Sequence, residues 1–346
     1  MTMKVRERGS RIYFQCLALL LLCVSHLAFA KDMLDVPVGI SPVMSSAAMF
    51  IAKEKGYFKE QDINVIINPF KASGAKMVPF LATGQLFVGG GNINAGMYNA
   101  IANDIPIKIV SDKGTVSPGH GYLALIVRKD HVDSGRYKSF KDLKGMSMAV
   151  TAKGVSQQIV TEMYLKKAGL NLDDIKLKFL GYSDINIALA NKSIDASVQI
   201  EPLVAASVDK GIAVRVAGDD EIYPNQQSAA IFYSPVFMKK YPDYAKGFMV
   251  AYVKGLRDYN DAFEKNKGKD EIIKILTKHT RIKDEAIYKK VVPVGLSPDG
   301  MVNMLSLKKD AQWYHEKGYV KALPDIDTIV DLDYAKHAVK VLGPYK

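Results

Sequence analysis

Apolar and polar positions near the start of the chain predict a strand, a polar loop, a helix and a second strand. A short apolar run over residues 36–40 is interrupted by Ser41-Pro42, and an amphipathic segment follows Ser45-Ser46. Serine before an apolar repeat is typical of a helix N-terminus, and glycine after a Lys-Glu-Lys stretch, here Gly56, is typical of a helix C-terminus. A polar loop is therefore expected at the carboxyl end of a strand, where open α/β sheets bind ligands.

The same pattern recurs further along the chain. Residues 80–89 and residues 187–197 both end a helix and begin a strand, and a serine-containing loop precedes each, at Ser73-Gly74 and at Ser183-Asp184. The similarity is short, and chance is the alternative explanation. Taken as a repeat, it predicts an α/β fold with two lobes built alike. The predicted strands lie near 34–40, 63–68, 86–90 and 107–111 in the first lobe and near 146–151, 175–180, 195–200 and 212–217 in the second.

Two further apolar runs, at residues 121–128 and 229–233, are predicted to be crossover strands that form a hinge. No low-complexity linker is present, which favours two lobes within one compact body. The predicted boundaries are 31–121 with 229–346 for lobe I, and 122–228 for lobe II. The pattern beyond Ser234 predicts helices at 242–265, 270–279, 283–290, 298–317 and 333–341.

Residues 1–30 have the pattern of a secretory signal peptide. A basic region precedes an apolar run over residues 16–24, and Ala28-Phe29-Ala30 fits the small-x-small cleavage pattern. The run is shorter than the ~20 residues of a membrane-spanning helix, which disfavours the alternative of an uncleaved anchor. Lipoprotein processing at Cys23 is disfavoured because Leu22 is not small. We expect cleavage after Ala30 and a periplasmic mature protein.

The composition excludes thiol chemistry in the mature chain. Both cysteines, Cys16 and Cys23, lie in the predicted signal, so no disulfide, thiolate metal site or thiol nucleophile is expected. The full chain has a net charge of +11, and residues 1–30 hold four Lys and Arg against Glu7, a net +3, which leaves +8. This charge favours anionic partners. The lysines are spread along the chain, however, which indicates a solvated surface and no nucleic-acid partner.

The sequence offers little from which to build an enzyme. None of the six histidines forms a pair at metal-ligand spacing. The run Gly89-Gly90-Gly91 is followed by Asn92-Ile93-Asn94 instead of the Gly-Lys-Ser/Thr of a phosphate loop, and a tight strand-to-helix turn explains it. We therefore expect no catalytic residue, no metal and no cofactor.

Small polar residues stand at the predicted starts of four helices, each directly after a strand. Ordinary helix capping explains any one of them alone. Together they indicate several helix N-termini that converge on one cleft, where free N–H groups and partial positive charge suit an anion. The residues are Ser45 with Ser46, Asn92 with Asn94, Ser156 with Gln157, and Ser183 with Asp184.

Four further residues are candidates for ligand contact. Lys113 and Lys153 follow predicted strands, where they either hold an anion or are merely solvated. His120 lies between two glycines that allow close backbone approach, and it either binds ligand or packs in its loop. Glu201 ends a strand and is either an acidic cap on the next helix or an acceptor for a ligand amine or hydroxyl.

Several short motifs together resemble those of the nitrate-, sulfonate- and taurine-type substrate-binding proteins of ABC transporters. They are residues 52–58 (AKEKGYF), 81–85 (LATGQ) and 142–145 (DLKG), and Glu201-Pro202. The resemblance implies a type II periplasmic-binding-protein fold, with two α/β lobes, two crossover strands and ligand in the cleft. It also implies a monomer without enzymatic activity. Such a protein delivers a small organic anion (a sulfonate, a carboxylate or a nitrate-like ion) to an ABC permease and ATPase in the inner membrane.

By the same resemblance, ligand contacts come from the loop that holds Ser41, Met44 and Ser45, the turn at 92–94, the loop at 153–157 and the Glu201 region. The family often has an aromatic residue before Glu-Pro, whereas this chain has Ser-Val-Gln-Ile at 197–200. This departure disfavours a sulfonate or taurine ligand, and the alternatives are a pyrimidine-precursor (hydroxymethylpyrimidine) binder and a related synthase-like enzyme. A ligand sensor for a membrane receptor is a further alternative, which the sequence does not separate from a transport protein. The enzyme is disfavoured by the signal and by the missing cysteine-rich motif.

Overall fold

The apolar runs form two five-stranded sheets, one in each lobe. The computed structural model describes residues 33–70 and 74–346, so the predicted signal peptide lies outside the described residues. The strands are β1 (Leu34–Ile40), β2 (Ile63–Pro69), β3 (Val88–Asn92), β4 (Lys108–Thr115), β5 (Leu123–Arg128), β6 (Ser147–Val150), β7 (Lys176–Phe179), β8 (Ala196–Ile200), β9 (Ala213–Gly218) and β10 (Gln227–Tyr233).

Helices connect the strands and fill the C-terminal part. They are α1 (Ala47–Glu54), α2 (Val78–Thr83), α3 (Ala95–Ala102), α4 (Lys129–Asp133), α5 (Ser156–Lys167), α6 (Tyr182–Ala190), α7 (Leu203–Asp209), α8 (Pro235–Lys240), α9 (Pro242–Glu264), α10 (Lys269–His279), α11 (Glu285–Tyr288), α12 (Met304–Glu316), α13 (Ile326–Ile329) and α14 (Asp333–Leu342). Within residues 33–70 and 74–346, none of these helices combines the length and apolar character needed to cross a bilayer.

The two sheets have the same plan. Their strand orders are β2-β1-β3-β10-β4 and β7-β6-β8-β5-β9. Strands β1, β2 and β3 are parallel, as are β6, β7 and β8, while β10 and β5 are antiparallel to their neighbours. Each antiparallel strand is the first that the chain forms after leaving the other sheet. This confirms two α/β lobes, whereas the residues at which the lobes divide stay a prediction.

Helix α9 fixes the position of the first predicted ligand loop. It packs on α1, the helix that directly follows this loop. A Cβ atom built on Gly255 of α9 would lie 2.2 Å from the backbone oxygen of Ala48 in α1, so only glycine allows this approach. The loop that holds Ser41 and Ser45 is therefore anchored by the core beneath it.

The predicted helix at 298–317 begins later than expected, at Met304. Gly300 has φ +73°, a left-handed conformation that glycine favours, and its carbonyl accepts a hydrogen bond from the Asp112 backbone N–H at 2.9 Å. Asn303 then caps the helix, since its side-chain oxygen accepts from the Ser306 N–H at 3.2 Å. The segment before Met304 thus packs along β4 instead of continuing the helix.

Candidate functional site

A small cavity between the two lobes brings together polar side chains from both sheets. Its volume is about 10 Å³, the room of one water molecule. It lies at the carboxyl ends of β1, β3 and β8, where α/β sheets bind ligands. The lining residues are Ser41, Val43, Ser45, Gly91, Asn92, Lys113, Tyr122, Leu123, Tyr182, Ile200 and Ala229.

A larger groove lies elsewhere, between β7 and the end of α12. It measures about 600 Å³ and is lined by Lys153, Lys317 and Tyr319 among others. The groove is open, and one of its two lysines, Lys317, is already paired, with Glu162 at 2.7 Å. We therefore take the smaller cavity, which both lobes enclose, as the candidate site.

Lys113 is the charged residue among the described residues that line the cavity. Its side chain is 3% exposed, and its ammonium donates a hydrogen bond to the Ser45 hydroxyl at 2.8 Å. A Cβ atom at Gly90 would lie 3.0 Å from the Lys113 side chain, so the glycine run at 89–91 makes room for the lysine. Burial lowers the pKa of Lys113 from 10.5 to about 7, and the nearby Asp112 carboxylate only partly opposes this effect.

A β-bulge turns Lys113 into the cavity. In the pairing of β10 with β4, Ala229 lies opposite Gly114 and Ala230 lies opposite Asp112, so Lys113 is the additional, unpaired residue. Such bulges re-aim a side chain and are common beside functional sites. The direction of the Lys113 side chain is therefore set by the register between β4 and β10, two strands that are distant in sequence.

Asp112 holds this bulge in place. Its carboxylate accepts hydrogen bonds from the Gly114 N–H at 2.8 Å and the Gln227 amide at 2.6 Å. The Ser297 N–H also donates to it, at 2.6 Å. Burial raises the pKa of Asp112, and these hydrogen bonds counteract the shift. The bonds tie β4 to β10 and to the segment before α12, so Lys113 rests on a rigid backbone.

Asn92 and Tyr182 join the two lobes across the cavity. The Tyr182 hydroxyl donates to the Asn92 side-chain oxygen at 3.2 Å, and the Asn92 amide donates to the Ser156 hydroxyl at 3.4 Å. Ser156 in turn donates to the Ser228 carbonyl at 2.7 Å. Burial raises the pKa of Tyr182 to about 12, so its hydroxyl stays a neutral donor.

Four predicted site residues line the cavity, namely Ser41, Ser45, Asn92 and Lys113. Ser156 lies beside them through its hydrogen bond with Asn92. Met44 is buried in the core, and its backbone N–H donates to the Glu201 carbonyl at 3.2 Å. The loop predicted from the first strand therefore contributes directly to the site.

Three predicted residues have structural partners instead. Asn94 caps α3, since its side-chain oxygen accepts from the Met97 N–H at 2.9 Å. The Gln157 side chain accepts from the Thr151 N–H at 2.8 Å and donates to a backbone carbonyl of β8. Glu201 accepts from the Ala205 N–H at 3.0 Å, which matches the acidic-cap alternative. Burial raises the pKa of Glu201 to about 7.

The remaining predicted residues lie at the surface. His120 pairs with Glu264 at 2.8 Å, Lys153 lies 5.1 Å above the Tyr319 ring, and Asp184 is exposed at the start of α6. None of them is among the cavity-lining residues. In residues 33–70 and 74–346, no cluster of His, Cys, Asp and Glu is arranged to hold a metal ion.

Sequence reasoning missed the two tyrosines of the cavity, Tyr122 and Tyr182. Tyr182 directly precedes Ser183-Asp184 and begins α6, so the polar helix start was a signal for its position. Tyr122 directly precedes β5, and its hydroxyl hydrogen-bonds to the Ser228 hydroxyl in β10 of the other sheet. No local pattern marks Tyr122 as a site residue.

Two α/β lobes with a cleft between them form the periplasmic-binding-protein fold, and solved structures share it. The nitrate-binding protein NrtA from Synechocystis PCC 6803 matches with a TM-score of 0.74 at 14% identity, over 90% of this chain and 90% of NrtA. The alkanesulfonate-binding protein SsuA from Xanthomonas axonopodis pv. citri, bound to MOPS, matches with a TM-score of 0.68 at 18% identity, over 88% of this chain and 100% of SsuA. These likenesses establish the fold.

The chain belongs to the NMT1/THI5-like family, which matches residues 44–264. A Brucella abortus (strain 2308) protein named only as a candidate binding protein is 27% identical over 222 residues. The alignment covers 63% of this chain and 64% of that relative, so it spans slightly less than two thirds of the relative's length. The family resemblance and the type II fold expected from the sequence are confirmed.

Proposed function

We propose that this chain is the periplasmic substrate-binding protein of an ABC importer. It captures a small organic anion between its lobes and delivers it, as a monomer, to a permease and ATPase in the inner membrane. The observation that carries the proposal is Lys113, a buried cation in a cavity whose lining, in the part of the chain that the structure describes, contains no Asp or Glu. The family, the fold and the names of NrtA and SsuA, both anion binders, support this role.

The ammonium of Lys113 has more donors than partners. A lysine has three N–H donors, and among the described residues only the Ser45 hydroxyl accepts from it. The neighbouring Asp112 carboxylate is occupied by backbone and amide donors. A ligand anion at Lys113 supplies both the missing acceptors and the missing negative charge, and such charge-assisted hydrogen bonds are strong.

Closure of the lobes follows from the same geometry. Ser45, Asn92 and Lys113 belong to the first sheet's side of the cavity, and Tyr182 belongs to the second lobe. A ligand that contacts both sides favours the closed form, because only that form offers both sets of contacts. The permease then recognises the closed shape, and no covalent bond is made or broken.

A binding screen tests the proposal. Sulfonates, carboxylates, nitrate and pyrimidines are screened by thermal shift, and the best ligand is then titrated calorimetrically. We expect an anion to bind and to stabilise the fold by about 2.7 kcal/mol at a hundredfold excess over Kd. The Lys113→Met variant should lose about 10- to 100-fold in affinity, because a charge-assisted hydrogen bond contributes about 1.5–3 kcal/mol.

The matched control is Lys153→Met, which removes an exposed lysine outside the cavity. It should bind as the parent does. Equal binding by Lys113→Met and the parent contradicts the anion site, and turnover of the ligand contradicts the non-enzymatic role. Uptake of labelled ligand by cells that carry Lys113→Met in place of the parent tests the transport step and separates it from sensing.

A neutral heterocycle such as a pyrimidine precursor is the second candidate ligand. Tyr122, Tyr182 and the Asn92 amide favour it, because aromatic rings and amides recognise flat heterocycles. Since the pKa of Lys113 is about 7, the lysine is also partly neutral near that pH. An uncharged best ligand whose affinity is unchanged in Lys113→Met favours this alternative.

A further inference from the structure

A second cavity of about 10 Å³ adjoins the first and shares Ser41, Val43 and Tyr182 with it. Its other walls include Phe70 from the first lobe, Leu203 from the second, and Arg281. Arg281 is exposed, whereas Lys113 in the first cavity is buried, so the two cavities run from the interior of the cleft to its mouth.

Among the described residues, each cavity is lined by one cation and by no acid. Within residues 33–70 and 74–346, neither lining contains Asp or Glu, and Arg281 has no ion pair or hydrogen bond. The wall they share is formed by Val43, Tyr182 and Ser41, which are all neutral. Two cations separated by a neutral, partly apolar wall fit a ligand with an anionic group at each end and a short neutral spacer.

We propose that the cleft selects an elongated organic dianion, with one acidic group on Lys113 and the second on Arg281 at the cleft mouth. This inference rests on the proposed anion-binding function and narrows its ligand class to α,ω-dicarboxylates and sulfocarboxylates. A guanidinium suits the outer position, because its planar fork pairs with a carboxylate through two parallel hydrogen bonds. A ligand that spans both cavities passes between the residues that line both, among them Val43 and Tyr182, and holds the lobes slightly further apart.

Calorimetric titration of the purified protein at constant ionic strength tests this specificity. The monoanions are acetate, methanesulfonate and nitrate, and the two-group anions are malonate, succinate, glutarate and sulfoacetate. We expect a two-group anion of one particular length to bind about tenfold or more tightly than any monoanion, as one additional charge-assisted contact provides. Arg281→Gln should remove that advantage and leave the affinity for monoanions within about twofold.

The control variant is Lys289→Gln, which removes an exposed cation of the same C-terminal segment that lines neither cavity. This variant should bind monoanions and two-group anions with the affinities of the parent. Equal affinity for monoanions and two-group anions, or an unchanged preference in Arg281→Gln, overturns the dianion inference while Lys113-dependent anion binding stands. A neutral best ligand, or anion binding that Lys113→Met does not weaken, overturns the proposed function and this inference together.

Discussion

Glu162 and Lys113 are both buried charged residues, and their partners differ. Glu162 of α5 is 2% exposed and accepts hydrogen bonds from the Trp313 indole at 2.6 Å and the Lys317 ammonium at 2.7 Å. Lys113 is equally buried but donates to one neutral hydroxyl. A buried charge with complete pairing holds two elements together, whereas one with spare donors is ready for a ligand.

The pKa values follow the same contrast. Burial raises the pKa of Glu162, but the hydrogen bonds from Lys317 and Trp313 outweigh burial and leave the pKa below its ordinary value. For Lys113, burial dominates and lowers the pKa to about 7. The charge of Glu162 thus stabilises the contact between α5 and α12, which we call the outer contact. The charge of Lys113 destabilises the cleft until a ligand binds there.

The largest expected effect is at the outer contact. Glu162→Ala should lower the free energy of unfolding by about 3 kcal/mol, because it leaves Lys317 and the Trp313 N–H without their acceptor. Urea unfolding measures this loss. Glu316→Ala, which removes an exposed carboxylate of α12, should change it by no more than about 0.5 kcal/mol. Equal, small losses of unfolding free energy in both variants would show that Glu162 does not stabilise the fold through its pairing with Lys317 and Trp313.

Removing the charge of Lys113 should change the free energy of unfolding in the opposite direction to removing that of Glu162. Lys113→Met should raise the free energy of unfolding by about 2 kcal/mol at pH 7, because it removes a poorly paired buried charge. The pKa of Lys113 is about 7 in the fold and 10.5 ordinarily, so the folded state binds fewer protons than the unfolded chain between these values. Parent stability therefore rises with pH in this window, and the advantage of the variant should shrink. If Lys113→Met has a lower free energy of unfolding than the parent at pH 7, the contrast between a stabilising Glu162 and a destabilising Lys113 is wrong.

The affinity for anions should depend on the protonation of Lys113. Above pH 7 the charged form of Lys113 becomes scarce in the free protein, so affinity should fall by up to about tenfold per pH unit. Titrations between pH 6 and 9 with methanesulfonate, whose own charge is constant there, measure this slope. Lys113→Met should bind weakly with no such slope, and a parallel slope in the variant would assign the proton to another group.

The smallest effect is expected at the hydrogen bond that joins the lobes within the cleft. Tyr182→Phe removes the donor to Asn92 and should lower the free energy of unfolding by about 1 kcal/mol. Ligand affinity should fall less than in Lys113→Met, because a neutral hydrogen bond is weaker than a charge-assisted one. Tyr334→Phe is the control, since its hydroxyl has no hydrogen bond to other described residues. A larger binding loss for Tyr182→Phe than for Lys113→Met would make the tyrosine the main ligand contact.

Local pattern predicted the strands well and the site only in part. β1 and the two antiparallel strands appear where apolar runs predicted them, because alternation and turn residues report burial on a sheet directly. The helix predicted from residue 298 was wrong before Met304, since the pairing of Gly300 with β4 overrides local helical preference. Ser41, Ser45 and Asn92 were found because polar residues at strand ends are visible in sequence.

The sequence by itself determined the family, the two-lobed fold and the absence of thiols beyond residue 30, because motif spacing, hydrophobic period and composition are properties of the chain alone. Only the tertiary structure decided which polar residues share a cavity. Lys113 and Lys153 look alike in sequence, but a β-bulge formed with β10 turns Lys113 inward while Lys153 stays at the surface. Glu162 and Arg281 gained their roles in the same way, since charge pairing and cleft position depend on contacts between residues more than a hundred positions apart.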